Sequence, residues 1–568
     1  MKKNLFTFFL LSTLHSTLLF SNTHLLFFSG NKKISSRELY DALELYKPYP
    51  FEFYANGPAI ELENIELTLH ALENYYKSKG FHHADISYIS DEKSVTLQIN
   101  EDEPIIVKSV TYIAGIDVSK KIPFKEGDIF DADKFIQSKK DIKILYANSS
   151  FCNAKLNAKA WIDIEQNSAY LTYEVLQNEK CYFGNIEIKP AKSIDSDIIK
   201  SLICMEEGAL FSSKKIDESY RNLYGYEAIS KVVIETNVRE GNKVDIVLSV
   251  SENEKPMRFK AGVGVSSDEG AMFMLGLKHR NFLDNLKTIG IETRVTQIKQ
   301  TLKTNFDMPL LEKNTVGIEV GYENEDFVTF KESRVFSELY FSQKRVPHTF
   351  AQSLIFDNSK TYESDDALLI PEYSLFLISP KLDWSYDTRD NVLDPTRGYF
   401  INSHIMGSLK SDISDATYYK FRVNGGYVTT VEDYIVALRG RFGTLNVQDG
   451  FIPPSYRFFA GGMHSNRAYG YRKLGPTDNK NDLMGSDSIL EATAEIRFNI
   501  YGNLRGVIFS DNTYLGNESM PISDNGYYTL GVGLRYKTPI GPIAIDIGFD
   551  TQDPTKQYAI HFHIGELF

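Results

Sequence analysis

The stretch Tyr528-Thr-Leu-Gly-Val-Gly-Leu-Arg-Tyr536 alternates large apolar residues with small or charged ones. This period of two is that of a β-strand, in which successive side chains point to opposite faces. The turn Thr538-Pro-Ile-Gly-Pro542 follows, and the alternation resumes from Ile543 to Phe549. The sequence here predicts two consecutive strands, each with one apolar and one polar face.

The same alternation marks the region 255–568, where Phe259 and Val263, for example, alternate with Arg258 and Lys260. A soluble β-sandwich would alternate too, with its apolar face inside. A sandwich domain of about 100 residues, however, is only about a third of this region. At about 20 residues per strand and connection, the region holds roughly 16 strands, and in lipid such a sheet must close. We therefore expect an all-β transmembrane barrel of about 16 antiparallel strands.

Composition excludes other classes of protein. The chain has 568 residues, with 62 Lys and Arg against 75 Asp and Glu, so its formal charge of −13 would repel nucleic acid. Outside the N-terminus no apolar run approaches the roughly 18–20 residues that a membrane-spanning helix needs. Neither a nucleic-acid-binding protein nor a helical membrane protein is expected.

Residues 1–21 have the features of an export signal. Lys2 and Lys3 precede an apolar run, and Ser21 is a small residue near its end. The alternative is a buried helix. As an export signal, this segment predicts a destination beyond the inner membrane.

The region between the signal and the barrel is a repeat. Alternating segments end in acidic turns at Glu103, Glu179 and Glu254, which lie 76 and 75 residues apart. This period predicts three tandem units, 22–103, 104–179 and 180–254. The first and third units have the order strand–helix–helix–strand–strand, which resembles the periplasmic POTRA domain. The resemblance implies a sheet edge that receives polypeptide by β-augmentation, and the alternative is an edge capped by the neighbouring unit.

The segment Tyr456–Pro476 resembles the sixth extracellular loop of the outer-membrane assembly superfamily that contains BamA and TamA. In that family an (aliphatic)-Arg-Gly-(aromatic) core folds back into the barrel lumen, and Arg467 and Tyr469 match it. Asn466 and Ala468 depart from the family's aliphatic residue and Gly. The family's arginine meets an inward acidic residue on a late strand, which the resemblance places at Asp511. It implies a latch that holds the loop inside the barrel, and the alternative is a solvated arginine in a surface loop.

Two further matches extend the resemblance over essentially the whole mature chain, namely Asp387–Tyr399 and Gly531–Pro542. Three POTRA-like units make the architecture most like TamA. The resemblance implies a factor that assembles proteins in the outer membrane of a Gram-negative bacterium, with its N-terminal units in the periplasm. Its partners would be the lipid bilayer, unfolded outer-membrane or autotransporter clients and a TamB-like protein. The alternatives are a two-partner-type secretion pore and a passive porin or surface antigen.

The barrel seam should lie between the first and last strands. Gly262 and Gly264 in the first strand and Gly565 near the terminal Phe568 contribute no side-chain packing there. We expect a weak seam that opens sideways. The alternative is an ordinary closed seam in which glycines permit curvature.

Other candidate sites lead to no chemistry. His561 and His563 share a strand face and His82 is followed by His83, but no cysteine or carboxylate cluster accompanies either pair at zinc-site spacing. Two of the three cysteines, Cys152, Cys181 and Cys204, could pair in an oxidising compartment, and buried thiols are the alternative. We expect no enzymatic activity, no cofactor and no metal site.

Overall fold

The computed structural model describes residues 23–46, 57–310, 314–366, 370–432, 434–477, 483–521, 526–538 and 541–564. The expected signal, 1–21, lies outside these ranges, and so do Gly565 and Phe568. The described residues up to 183, with 208–214 and 238–244, form one compact unit, and the others form a second. No helix among the described residues has the length and hydropathy needed to cross a membrane.

The first N-terminal sheet has four strands, one more than expected. Its elements are β1 (Thr23–Ser29), α1 (Ser36–Ala42), β2 (Ala59–Glu61), α2 (Ile65–Ser78), β3 (Asp85–Ser90) and β4 (Ser94–Asn100). The strand order is β2-β1-β4-β3, with β1 parallel to β4. Ser35 caps α1 by accepting a hydrogen bond from the Glu38 backbone N–H. After α2 the chain turns at Gly80, whose φ is +92°.

Two three-stranded sheets follow. The second sheet has the order β5-β7-β6 and the third has β8-β10-β9. Their elements are β5 (Ile106–Ile113), α3 (Ala132–Asn148), β6 (Lys155–Asp163), β7 (Ser168–Leu176), β8 (Tyr182–Ile188), α4 (Ser196–Leu202), α5 (Ser213–Tyr224), β9 (Ile229–Arg239) and β10 (Lys243–Glu252). In the second unit a short 3₁₀ turn, Ser119–Lys121, stands where the other units have their first helix.

The acidic residues that end the repeats have a structural role. Glu101 is buried and accepts hydrogen bonds from the backbone N–H groups of residues 32 to 34 and from the Tyr76 hydroxyl. In the third unit Glu252 accepts from the backbone N–H and the hydroxyl of Ser193. In both cases a carboxylate at the end of the last strand accepts hydrogen bonds from the loop that precedes the first helix of the unit.

Cys152 and Cys181 form a disulfide, with their Cα atoms 5.8 Å apart. The bond joins the segment after α3 to the segment before β8, and the Cys181 backbone N–H also donates to the Ser150 carbonyl. Cys204 lies outside this bond, and its sulfur accepts a hydrogen bond from Asn222 Nδ2. The pairing that the sequence left open is thus decided.

The barrel has the expected 16 strands, and each pairs antiparallel with the next. They are β11 (Met257–Ser266), β12 (Gly270–His279), β13 (Thr288–Val295), β14 (Lys299–Leu310), β15 (Asn314–Asp326), β16 (Lys331–Arg345), β17 (His348–Tyr362), β18 (Ser374–Asp387), β19 (Gly398–Ser408), β20 (Ala416–Val431), β21 (Tyr434–Gly450), β22 (Ser488–Tyr501), β23 (Leu504–Gly516), β24 (Tyr527–Tyr536), β25 (Ile543–Asp550) and β26 (Tyr558–Ile564).

The two faces of these strands are those that the alternation predicts. In β24, Leu530 and Val532 are more than half exposed, whereas Thr529 and Arg535 are fully buried. Apolar side chains therefore cover the outside of the barrel, and polar and charged ones fill the lumen. This inversion of a soluble core is stable only where lipid surrounds the apolar face.

The β12–β13 turn joins the third unit to the barrel. Leu286 lies in the apolar cluster of that unit, and Asn285 exchanges two hydrogen bonds with Asp195. All four residues from Leu283 to Leu286 have positive φ, a costly conformation for residues other than glycine. The buried leucine and the paired amide hold the turn in this conformation.

Candidate functional site

The loop after β21 comprises residues 451–487, and we call it the lumen loop; its described residues, 451–477 and 483–487, lie within the barrel. Its described parts contact inward-facing side chains of several strands. The Tyr456 hydroxyl donates to Asp357 of β17 at 2.6 Å, and the Ser455 hydroxyl donates to Glu332 of β16 at 2.6 Å. Lys420 Nζ of β20 donates to the Tyr456 carbonyl at 2.6 Å. These contacts hold the first half of the loop against one side of the barrel wall.

Arg467 anchors the second half of the lumen loop. Its Nε and Nη2 donate to the two oxygens of Asp511 at 2.9 and 3.0 Å, which is the bidentate geometry that a guanidinium favours. Its Nη1 donates to Glu495 and to Asp546, each at 3.0 Å. The guanidinium carbon lies 3.3 Å from the ring centre of Phe509. The latch partner inferred for Arg467 is therefore in place, with two further carboxylates beside it.

Two more arginines complete this group. Arg497 Nε donates to Glu495 at 2.7 Å, and both Nη atoms of Arg535 donate to Asp546. The latch network, as we call it, contains three arginines and three carboxylates: Arg467, Arg497, Arg535, Glu495, Asp511 and Asp546. All six side chains are at most 1% exposed, and their formal charges cancel. Burial of so many charges is tolerable only because each is paired.

Sequence reasoning did not assign Glu495, Asp546, Arg497 or Arg535 to the latch. The available signal was the alternation itself, which places all four on the polar, inward face of their strands. Their meeting with Arg467 depends on the register between distant strands and on the path of the loop.

A glycine lets the lumen loop approach the wall. A Cβ atom on Gly548 of β25 would lie 2.4 Å from the Arg467 carbonyl oxygen and 2.5 Å from its carbon. Backbone atoms cannot yield as a flexible side chain can, so only glycine fits here. The loop backbone thus rests directly on β25.

The residues around Arg467 also have defined partners. The Tyr469 hydroxyl donates to Asp550. The Asn466 side chain accepts from the Thr529 hydroxyl and from the Ala468 backbone N–H. Asn466 and Ala468, which depart from the family pattern, are both fully buried, so the amide and the small methyl group both fit this turn.

The first and last strands meet at few points. One backbone hydrogen bond in the described part of the seam links the two sides, from the N–H of Ser267, one residue past β11, to the Phe562 carbonyl of β26 at 3.3 Å. By comparison, β11 and β12 are paired at ten consecutive residues. Val263 on β11 is 87% exposed, whereas outward valines inside the sheet, such as Val320, are about half exposed. Over the described residues, 257–267 on one side and 558–564 on the other, β11 and β26 share no strand ladder, and this part of the seam is almost unpaired.

The predicted seam glycines lie on β11 without a backbone contact that requires them. A Cβ on Gly262 would come 3.6 Å from the Met274 side chain, and one on Gly264 would come 3.0 Å from Met272. Their role in opening stays a prediction.

The histidines set aside at the sequence level lie in two separate regions of the chain. His561 and His563 both point into the barrel and are at most 3% exposed, and His83 contacts the Ile164 carbonyl. In the described ranges, no three His, Cys, Asp or Glu side chains are arranged to hold a metal ion.

Comparison with known proteins agrees with this architecture. A family model described as the Omp85 superfamily domain matches residues 241–568. A POTRA model, described as a surface antigen variable number repeat, matches 25–102 and 104–178. The third unit shares the element order of the first but lies largely outside these matches.

Two curated relatives and one solved structure are similar to the chain. A putative outer membrane protein assembly factor of Treponema pallidum is 24% identical over 49% of this chain and 35% of its own length. The outer membrane protein assembly factor BamA of Nitratidesulfovibrio vulgaris is 20% identical over 95% of this chain and 72% of its own. The crystal structure of Haemophilus ducreyi BamA lacking POTRA domains 1–3 aligns with a TM-score of 0.59 at 15% identity, over 81% of this chain and 99% of that one.

Fold and site define an outer-membrane β-barrel with N-terminal POTRA domains and a lumen loop fastened by a buried arginine. Because the Omp85 model covers more than half of the chain, the protein belongs to the Omp85 superfamily. The superfamily suggested by the resemblance is thereby confirmed. Its closer kinship to TamA stays a prediction.

Proposed function

We propose that the protein assembles other proteins in the outer membrane of a Gram-negative bacterium, with its N-terminal units in the periplasm. Two relatives that are named as outer membrane protein assembly factors support this role. The chain spans 35% of the first relative's length and 72% of the second's. The observation that carries the proposal is that, over the described residues, no strand ladder pairs β11 with β26, and one backbone hydrogen bond, from Ser267 just after β11, joins the two sides of the seam.

An almost unpaired edge has a direct chemical use. The N–H and C=O groups along β11 can accept an incoming strand, because main-chain hydrogen bonding needs no particular sequence. A client strand paired there is already at the lipid-facing wall, where its own apolar side chains can be buried. Barrel proteins, whose strands must all find partners in lipid, are the class of client that this edge fits.

The N-terminal sheets differ in how open their edges are. The chain's own residues cover β5 and β8, where Val107 N–H donates to the Asp128 carbonyl and Phe183 N–H donates to the Ala209 carbonyl. The outer edge of β9 is occupied by tyrosine hydroxyls, since Ile234 N–H donates to Tyr220. Among the described residues the outer edges of β3 in the first sheet and of β6 in the second, the latter beside the exposed Trp161, have no such cover. We assign client reception to these open edges.

The number of N-terminal units supports a narrower role within outer-membrane protein assembly. Three such units favour a TamA-like factor, with autotransporters among its clients and a TamB-like periplasmic partner. Depletion distinguishes this role from a general one: a TamA-like factor lowers a subset of barrel proteins in the envelope, whereas a general factor lowers nearly all of them.

A disulfide across the seam tests the mechanism. The register of the Ser267–Phe562 bond, continued by two residues, places Val265 opposite Ile564, so the variant is Val265→Cys/Ile564→Cys in a Cys204→Ser background. We expect the oxidised form to lose client insertion into lipid vesicles and the reduced form to regain it. An undiminished rate in the oxidised form would contradict lateral opening.

A staple inside the intact sheet is the matched control. Phe273 of β12 faces Val295 of β13, so Phe273→Cys/Val295→Cys adds the same bond away from the seam. It should leave insertion unchanged.

Two other functions predict different results. A porin or surface antigen would keep its conductance and its role after deletion of residues 22–254, whereas an assembly factor would lose client delivery. A two-partner-type secretion pore would, on depletion, lose one exported substrate and leave the barrel proteins of the envelope at normal levels.

A further inference from the structure

The β11–β12 turn, Ser267–Glu269, contacts both the lumen loop and the last strand. Asp268 Oδ2 accepts a hydrogen bond from the backbone N–H of Met463 in the lumen loop at 3.0 Å. Its Oδ1 lies 3.2 Å from Nδ1 of His561 on β26. The two side chains are 4% and 2% exposed, so both contacts are shielded from water. One carboxylate thus joins three elements.

The neighbouring Ser267 supplies the remaining described links of the seam. Its N–H donates to the Phe562 carbonyl, and its hydroxyl accepts from the Phe562 N–H at 3.3 Å. The hydroxyl also lies 3.2 Å from His561 Nδ1. Between residues 257–279 and 558–564, every hydrogen bond that the structure describes across the seam therefore involves this turn.

The lumen loop is fastened separately to the other side of the seam. Four residues after Met463, Arg467 is held by Asp511 of β23 and Asp546 of β25. Gln557, just before β26, donates through Nε2 to the Ala468 carbonyl at 2.7 Å. The loop consequently spans the seam from within, with Asp268 on the first-strand side and the latch network on the last-strand side.

We propose that Asp268 is a positioning residue that couples the lumen loop to closure of the seam. While the loop is seated, Met463 fixes Asp268, and Asp268 with Ser267 holds β26 against the first hairpin. Withdrawal of the loop removes the support of this turn and lets β26 move away from the first hairpin. This inference rests on the proposed function, in which that edge receives client strands.

The backbone of the loop is shaped for this contact. Gly462 has a φ of +102°, and a Cβ there would lie 2.7 Å from Asp268 Oδ2. Replacement with alanine would push the carboxylate away without changing any charge. Gly462→Ala should therefore reproduce the loss of Asp268.

The test measures seam closure directly and without a client. The rate of disulfide formation in Val265→Cys/Ile564→Cys reports how often the seam is closed in empty lipid vesicles. Asp268→Ala should slow this rate at least about tenfold, because it removes two buried hydrogen bonds to a carboxylate. Asp268→Asn keeps an oxygen for the Met463 N–H and an amide that can bond His561, so it should restore most of the rate.

Glu269→Ala is the matched control. Glu269 lies in the same turn, but its carboxylate pairs with Arg294 of β13, on the first-strand side of the seam. Its removal should change the rate less than twofold. The fraction of folded barrel, read from heat-modifiable migration in electrophoresis, confirms that each variant is folded.

The outcomes separate the two proposals. An unchanged rate in folded Asp268→Ala, or an equal slowing in Glu269→Ala, overturns the coupling. If the seam disulfide blocks insertion while Asp268→Ala cross-links normally, the assembly role stands and the coupling fails. If Asp268→Ala slows cross-linking while the seam disulfide leaves insertion intact, the coupling stands and the assembly mechanism fails.

Discussion

Arg467 and Asp511 share three hydrogen bonds, two from the guanidinium and one from the Arg467 backbone N–H. The backbone bond fixes the position of the loop, and the guanidinium bonds fix the direction of the side chain. Asp511 is therefore the carboxylate whose loss should disturb the seated lumen loop most.

Asp511→Asn tests this directly. The amide keeps the shape of the side chain but removes one negative charge, so three buried arginines face two carboxylates. Breaking a buried ion pair typically costs about 3–5 kcal/mol. We expect the folded barrel to convert to the unfolded form at a clearly lower temperature in semi-native electrophoresis, and client insertion to fall. Asp449→Asn, which removes an exposed carboxylate paired with Lys410, is the control and should leave that temperature nearly unchanged, because water screens exposed ion pairs.

A charge reversal at Asp511 shows whether its ion pair with Arg467 matters, and not only the size of its side chain. Asp511→Arg should abolish insertion, because it places a fourth cation in the latch network. Exchange of both residues, Arg467→Asp with Asp511→Arg, restores the balance of charge but puts the aspartate beside Glu495 and Asp546. We therefore expect only partial recovery, measured as insertion rate per folded protein. Full insertion activity of Asp511→Arg would contradict the hypothesis that this ion pair holds the loop in place.

Gly548→Ala tests the seating of the loop without touching a charge. The added methyl would meet the Arg467 carbonyl group at 2.4–2.5 Å, so the loop must move off β25. We expect lower thermal stability of the folded barrel and faster protease cleavage within 451–487. Gly440→Ala is the matched control, because a methyl there meets nothing closer than the Glu491 carbonyl oxygen at 3.8 Å. Equal behaviour of the two variants would show that close approach at Gly548 is unimportant.

The architecture of the chain could be predicted because it depends on local patterns. Period-two alternation identifies a strand and its lipid-facing side from a few residues, and Thr529 and Arg535 point inward as the pattern requires. The length of the region then sets the number of strands. β2 was missed because its three residues, Ala59–Glu61, are too few to show any period.

The site could be predicted only in part, because its contacts are set by strands far apart in sequence. Arg467 and Asp511 were found through a family resemblance. Asp546 was recognised as inward-facing, but its contact with Arg467 joins residues 79 positions apart. Asp268 carried no sequence signal, since its two partners are 195 and 293 positions away. Local periodicity contains no information about such pairs.

The Cys152–Cys181 bond predicts a specific count of thiols. In denaturant without reductant, one thiol per chain should react with a maleimide, and with reductant all three should react. Reaction of three thiols without reductant would contradict the pairing. Because the bond closes a loop with a sequence separation of 29 residues, chain entropy predicts about 3–4 kcal/mol of stabilisation. Cys152→Ser/Cys181→Ser should therefore lower the urea midpoint of the N-terminal domains in pulse proteolysis, with Cys204→Ser as the control.

The third unit also contacts the first barrel hairpin through Glu227. Its carboxylate lies 2.8 Å from Arg258 of β11, 3.7 Å from Lys278 of β12 and 3.6 Å from Arg280. Burial opposes ionisation, but the three positive charges outweigh it and lower the pKa of Glu227 below its ordinary value of 4.5. The ionised carboxylate therefore favours the bound arrangement of domain and hairpin.

The lowered pKa of Glu227 determines how this contact depends on pH. A depressed pKa means that its contribution is fully present above about pH 4.5 and is lost as the pH falls through the lower pKa of the folded state. Spin labels at Lys200 and Lys344, in a Cys204→Ser background, should give a narrow distance distribution at pH 7 that broadens as the pH falls below the lowered pKa of Glu227. Glu227→Gln should broaden it at pH 7 already and remove the pH dependence. Glu206 is an exposed carboxylate of the same unit, so Glu206→Gln should give the same distance distribution as the parent protein. If Glu227→Gln gives a distribution as narrow as that of the parent protein at pH 7, the contact of Glu227 does not hold the third unit against the hairpin.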